Sequence, residues 1–171
     1  MKSAESETTV PAVPTGPLQW RVLLEWLRAD GVIAADDAKH TAKRFAAGDS
    51  RQHPLVRLAA AGLQRAGDPG RGQPLEVEAL TEWLALRCKL PYLRIDPLKV
   101  DVGRVADVMS VAYAESKRAL PVSVALTEVT VATCEPLDSA WVKEIEGHTK
   151  KRLRLVVAHP TEIAKYTTEF F

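Results

Sequence analysis

Apolar positions recur along this chain in two different periods. From Leu18 to Ala29, Leu23, Leu24, Trp26 and Leu27 form a broad stripe around a helix, leaving Arg21, Glu25 and Arg28 for solvent. Asp30-Gly31 ends it, because glycine takes the left-handed cap conformation without a Cβ penalty. Val32 and Ile33 lead into a second helix, favoured by Ala34, Ala35, Ala38 and Ala42 and closed on its apolar side by Phe45. Gly48-Asp49-Ser50 stops it. The order then returns. Leu55, Val56, Leu58 and Ala59 predict a short helix ended by Gly62, Arg65 to Pro74 an exposed Gly/Pro-rich loop, and Leu75, Val77, Leu80, Trp83, Leu84 and Leu86 another helical stripe. The pattern suggests a tandem of helical hairpins.

From Leu120 the period becomes two. Val122, Val124 and Leu126, then Val129 and Val131, then Leu153, Leu155 and Val157 alternate as the inward sides of three strands. Thr127-Glu128 is short enough to join the first two as a hairpin. A helix between the second and third, with Asp138 as N-cap, turns Trp141, Val142 and Ile145 inward and is followed by Gly147. Between the two regimes, Leu90 to Pro97 breaks the helical period, since Pro91 and Pro97 hold their neighbours extended. Val102, Val105, Met109, Ala112 and Tyr113 then predict one helix packed on the sheet. A last helix starts at Pro160 and buries Ile163, Tyr166 and Phe170.

The expected fold is therefore α+β. Residues 1–17, polar and rich in Pro and Gly, form a flexible tail. A helical-hairpin subdomain over 18–89 precedes a small α/β subdomain over 90–171, whose three-stranded sheet is packed by helices. The ending on Phe170-Phe171 points to a piece of a longer protein.

Composition narrows the function by exclusion. A formal net charge of +1 over 171 residues gives no global attraction to nucleic acid. No apolar run approaches the roughly 20 residues that span a bilayer, and no basic segment leads into an apolar core as in a signal peptide. Cys88 and Cys134 are far apart within apolar patterns, as buried free thiols of a reducing cytoplasm are.

Candidate chemistry is sparse. His40, His53, His148 and His159 are scattered without Cys or carboxylate partners at ligand spacing, so they read as surface or capping residues and no metal is expected. Cys134 with His148 could imitate a nucleophile and base, but nothing lowers the thiol pKa. Asp96, Asp101 and Asp107 fit turns and caps. No catalytic set is assigned. The one basic cluster is Lys150-Lys151-Arg152 with Arg154. It is either a solvated strand edge or a docking patch for an acidic partner or anionic lipid head groups. Trp20, next to the tail, is a candidate interface anchor, and Trp26 belongs to the core.

A family likeness emerges from these same residues. Leu90-Pro91-Tyr92-Leu93-Arg94-Ile95-Asp96-Pro97-Leu98 resembles the "LPYVDLDPL" segment of secretion and pilus-assembly ATPases. Leu120-Pro121-Val122, Val129-Thr130-Val131-Ala132 and Glu135-Pro136-Leu137-Asp138 are similar to that family's "LP(L/V)…L-x-V-A-x-x-DP-x-D" series, and Ala158 to Ile163 to its "A-x-x-x-(E/D)-I" ending. The family is that of the type II secretion and type IV pilus assembly ATPases, whose N-terminal domain is called MshEN or GspE N-terminal. The resemblance implies a regulatory, non-enzymatic domain that docks its own ATPase domain to the cytoplasmic part of an inner-membrane platform protein. It implies a cytoplasmic location, peripheral to the inner membrane through partners, with no nucleic acid and no direct membrane insertion. The family's phosphate-binding loop, G-x-x-x-x-G-K-[ST], is absent from this chain, whose glycine cluster Gly67 to Gly72 lacks the lysine.

Some family members bind cyclic di-GMP through tandem motifs similar to R-L-G-x-x-L-V-x-x-G, each continuing into a helix that ends in Gln. No cofactor is expected here, and a cyclic di-GMP sensor is the alternative reading. Leu23, Leu27 and Gly31 match the first motif; Leu58, Gly62 and Leu63 match the second. Val22, Leu24 and Phe45 replace the first motif's Arg, Gly and Gln, and His53 and Leu55 replace the Arg and Gly of the second. Arg21 lies one position before the expected Arg. What the resemblance preserves is the hairpin scaffold, without most of the motif's polar side chains.

Overall fold

The computed structural model describes residues 14–171. Residues 1–13, most of the expected flexible tail, lie outside the described residues.

The helical half is two packed helix pairs, α1 (Trp20–Ala29) with α2 (Ala35–Ala46) and α3 (Pro54–Ala60) with α4 (Val77–Arg87). Gly31 at φ +73 and Gly62 at φ +80 take the left-handed conformation just beyond α1 and α3, as their helix-ending positions require. Leu23 and Leu27, Leu55 and Leu58, and Leu80 and Leu84 meet in one fully buried core. Each leucine so placed contributes about 1.5–3 kcal/mol relative to exposure. One expectation fails here. Leu86 is 79% exposed. It lies about 200° around the helix from Leu84, on the side away from the core. Trp26 packs against the core at its margin, half-buried, with the Arg87 guanidinium 4.5 Å over its ring.

The sheet runs β1 (Ala119–Val124), β2 (Glu128–Thr133), β3 (Arg152–Val157), with β1 and β2 antiparallel and β2 and β3 parallel. A parallel neighbour needs a crossover, and α7 (Val142–Thr149) supplies it. The Pro91-to-Leu93 segment lies along the outer edge of β3. Val157 N–H donates to the Pro91 carbonyl and Leu93 N–H to the Val157 carbonyl, each at 2.8 Å. The proline-enforced extended backbone thus covers an open edge. On one face of the sheet Val129, Val131 and Leu153 pack with Trp141 and Ile145 of the α7 region. On the other, Leu120, Val122, Ala132 and Val156 pack with Ile163 and Phe170 of α8 (Pro160–Phe170).

Four local expectations are corrected. The single helix expected from Val102 to Tyr113 is two, α5 (Val102–Val108) and α6 (Val111–Lys117). Met109 is extended and Ser110 Oγ accepts from Tyr113 N–H at 3.1 Å, so a serine cap starts a new helix where the apolar spacing alone continued the old one. Asp138 does not cap α7; its carbonyl accepts from Trp141 Nε1 at 2.8 Å, and the helix begins at Val142. Gly147 lies inside α7, which Lys150 ends at φ +59. Leu126 is not a strand residue but the hairpin tip, 89% exposed.

Candidate ligand cleft between the helical and sheet halves

Where the two halves meet, a small set of polar groups is buried. The chain entering α1 is held first: Gly16 N–H donates to the Leu137 carbonyl at 3.1 Å, and Leu18 N–H to Glu135 Oε2 at 3.3 Å. Residues 14–17, assigned to the tail from composition, are therefore tied to the sheet half at Gly16. From α3 comes His53, 7% exposed, beside Glu135, 6% exposed. Its Nδ1 accepts from Leu55 N–H at 3.1 Å and so caps α3. With that nitrogen unprotonated, the neutral ring carries its proton on Nε2, which donates to the Cys134 carbonyl at 2.8 Å. Glu135 Oε1 lies 3.7 Å from the same Nε2 and 3.8 Å from Arg118 Nη1.

Burial governs the charge of both groups. It depresses His53 from 6.5 to about 4, outweighing the hydrogen bond to Cys134. A second proton would also sit on Nδ1 and break the α3 cap. Burial raises Glu135 from 4.5 to about 7, against the Leu18 N–H and Arg118, which favour the carboxylate.

Next to this pair opens a cleft of about 640 Å³. Arg21 of α1, Arg51 and Arg57 flanking the start of α3, and Lys117 and Arg118 at the end of α6 line it, facing only Glu135 and Asp138. Arg57 is engaged, donating to the Phe45 and Gly48 carbonyls at 3.1 and 3.0 Å. Among the described residues, Arg21, Arg51 and Lys117 pair with no carboxylate within 4.0 Å. Gln19 precedes α1 without a side-chain cap, and it lines the cleft with Trp20 and Arg21, the first residues of that helix. A concave surface with surplus positive charge suits an anion, and on its wall the half-buried Trp20 carries the Arg21 guanidinium 4.3 Å over its ring.

The expected nucleotide-motif residues lie elsewhere. Leu23, Leu27 and Leu58 are enclosed in the core, and Gly31 and Gly62 close helices. Trp20 does line the cleft, edge-on to Phe45 at 5.3 Å. Lys150, Lys151 and Arg152 lie at the far end of the sheet, by the hairpin tip. Two histidines are caps, His53 of α3 and His159 of α8, while His40 and His148 are exposed or half-exposed. The Cys134 thiol is buried and pushed up to about 12, which removes it as a nucleophile at neutral pH. Pattern reading missed the His53–Glu135 contact and the convergence of Arg51, Lys117 and Arg118. The available signal was His53 directly before Pro54, a helix-start pair with a capping side chain.

Comparison with known proteins places the fold in a class. The fold is that of MshE, in a solved structure of MshE with cdg, at a TM-score of 0.62 with 15% identity over 87% of this chain and 98% of that one. It is also that of the N-terminal domain of XpsE, at a TM-score of 0.55 with 16% identity over 100% and 99%. At such identities these likenesses establish the fold alone. The MshEN domain family matches residues 88–171, so the second half of the chain is an MshEN domain. Type IV pilus assembly ATPase TfpB of Acinetobacter baylyi is 30% identical over 159 residues, 90% of this chain and 26% of that protein. The homology therefore reaches well into the helical half, and the chain spans about a quarter of that relative's length.

Proposed function

We propose that this chain is the N-terminal regulatory and docking domain of a type IV pilus or type II secretion ATPase. It acts beside the motor and does not itself hydrolyse ATP. The observation that carries this reading is the homology to TfpB, which runs through both halves of the chain. The tethering of Gly16, Leu18 and His53 to the 134–137 segment supports a mechanical role, since movement of one half is felt by the other. The partner would be the cytoplasmic part of an inner-membrane platform protein. Among the described residues no helix is long and apolar enough to cross a membrane. A pull-down of the well-folded chain with that platform segment is expected to retain it; failure counts against docking.

The cleft favours a second reading, a cyclic di-GMP sensor. Arg51 pairs with no carboxylate, and Arg21, stacked 4.3 Å over the Trp20 ring at the same wall, keeps its guanidinium N–H groups for phosphates. Calorimetric titration with cyclic di-GMP is expected to give micromolar binding weakened at least tenfold by Arg21→Ala with Arg51→Ala. Absence of heat with the parent chain removes this reading and leaves the docking role untouched.

A further inference from the structure

We propose that the end of the sheet remote from the junction is a docking surface for an anionic bilayer, with Leu126 seated among the lipid head groups inside a collar of basic side chains. Leu126 projects from the β1–β2 turn, 89% exposed. It is the reverse of a core residue, an aliphatic side chain left to solvent on a turn. The turn is fastened to cations on both sides. Lys151 Nζ donates to the Ala125 carbonyl at 2.7 Å, and Arg104 Nη1 to the Val124 carbonyl at 3.5 Å. Arg152 N–H donates to the Thr127 carbonyl at 2.9 Å, which brings the start of β3 alongside the tip. Lys150 precedes it, and Arg152 and Arg154 are both exposed on one side of β3.

The local balance is positive. Against the five cations Arg104, Lys150, Lys151, Arg152 and Arg154 stand three carboxylates: Asp101 shares Arg104 at 3.4 Å, Glu128 lies opposite Arg152 in the strand register, and Glu146 Oε2 accepts from Leu153 N–H at 2.9 Å. Among the described residues, Lys150, Lys151, Arg152 and Arg154 have no carboxylate within 4.0 Å. The net charge of the whole chain is only +1, so this concentration is local rather than a general excess.

Shape favours a bilayer over an acidic protein. A protein partner anchors on pockets that receive its buried side chains. Here the apolar group is exposed on a turn between two strands, and the long basic stems can lie along it with their charges at head-group level. Polybasic collars of this kind are drawn to anionic leaflets. Such contact needs no spanning segment. It is independent of the sensor reading, because the junction cleft lies at the opposite end of the strands.

The test is co-sedimentation of the full chain with vesicles of 30% phosphatidylglycerol in phosphatidylcholine, against pure phosphatidylcholine. The parent is expected to bind only the anionic vesicles and to be released by high salt. Each removed cation weakens partition about fivefold, so Lys150→Ala/Lys151→Ala/Arg152→Ala together are expected to weaken it about a hundredfold. Leu126→Ser, on an exposed turn, leaves the charge intact and is expected to cost about fivefold. Lys39→Ala/Lys43→Ala on α2 is expected to change nothing. Equal binding to neutral vesicles, no binding by the parent, or parent-like binding by the triple variant would overturn the proposal. So would capture of polyglutamate through these residues without any vesicle binding, which would assign the surface to an acidic protein.

Discussion

Glu135→Gln is expected to stabilise the protein increasingly as pH rises from 4.5 to about 7, by an amount of order 3 kcal/mol at the top of that window. The folded carboxyl titrates near 7 and the unfolded one at 4.5. Its contribution is therefore fully present below pH 4.5 and is lost as pH rises to 7. The glutamine keeps an acceptor for Leu18 N–H and removes the buried charge. His53→Asn is expected to show the opposite slope. The folded imidazole titrates near 4 and the unfolded one at 6.5. Its contribution is present above 6.5 and is lost as pH falls to 4, so a variant without it gains relative to the parent on acidification. Asparagine can still cap α3. In the parent the two slopes oppose each other between pH 4.5 and 6.5, and folding amounts to moving one proton from the histidine to the glutamate. Urea midpoints of parent and variants at half-unit steps from pH 4 to 8 check this. If both variant-minus-parent differences are flat, the burial of this pair is not what sets their charge.

Leu23→Ala and Leu58→Ala are each expected to cost about 2–5 kcal/mol, a large part of the stability of a domain this size. Both side chains are fully enclosed in the helical core. The loss should show as a lower denaturant midpoint with unchanged slope, while Leu→Met at either position costs less than about 1.5 kcal/mol. These are residues that the family resemblance assigns to nucleotide binding. A large loss of stability marks them as scaffold, so a binding defect in the alanine variants alone would not identify a ligand contact. Small effects on stability would place their side chains at an accessible site instead.

Most of the architecture was legible because burial leaves a period. The four-helix region, the three strands and the helix after Pro160 each show one face of apolar residues, and Gly31 and Gly62 announce helix ends through their backbone freedom. The misreadings share a cause. Leu126 is apolar and in step with Val122 and Val124, and Leu86 is apolar but about 200° around α4 from Leu84; both point outward. Hydrophobic character says that a side chain can be buried, not that a neighbouring element is there to cover it. Ser110 divided one expected helix in two because a side-chain hydrogen bond outweighed a continuous apolar pattern.

The candidate site was far less visible, and necessarily so. Its cations come from α1, the start of α3 and the end of α6, positions with no fixed spacing between them. By itself the sequence determined the α+β class, the succession of four helices and three strands around the region from Val102 to Lys117, the leucine core of the helical half and the family likeness from Leu90 onward. These depend on local periodicity and contiguous motifs. Tertiary structure alone decided that β3 runs parallel to β2, that His53 meets Glu135, and that Arg21, Arg51 and Lys117 share one cleft. Such facts rest on contacts between residues distant in the chain. Desolvation and charge, which tune both the buried pair and the cleft, exist only once those contacts have formed.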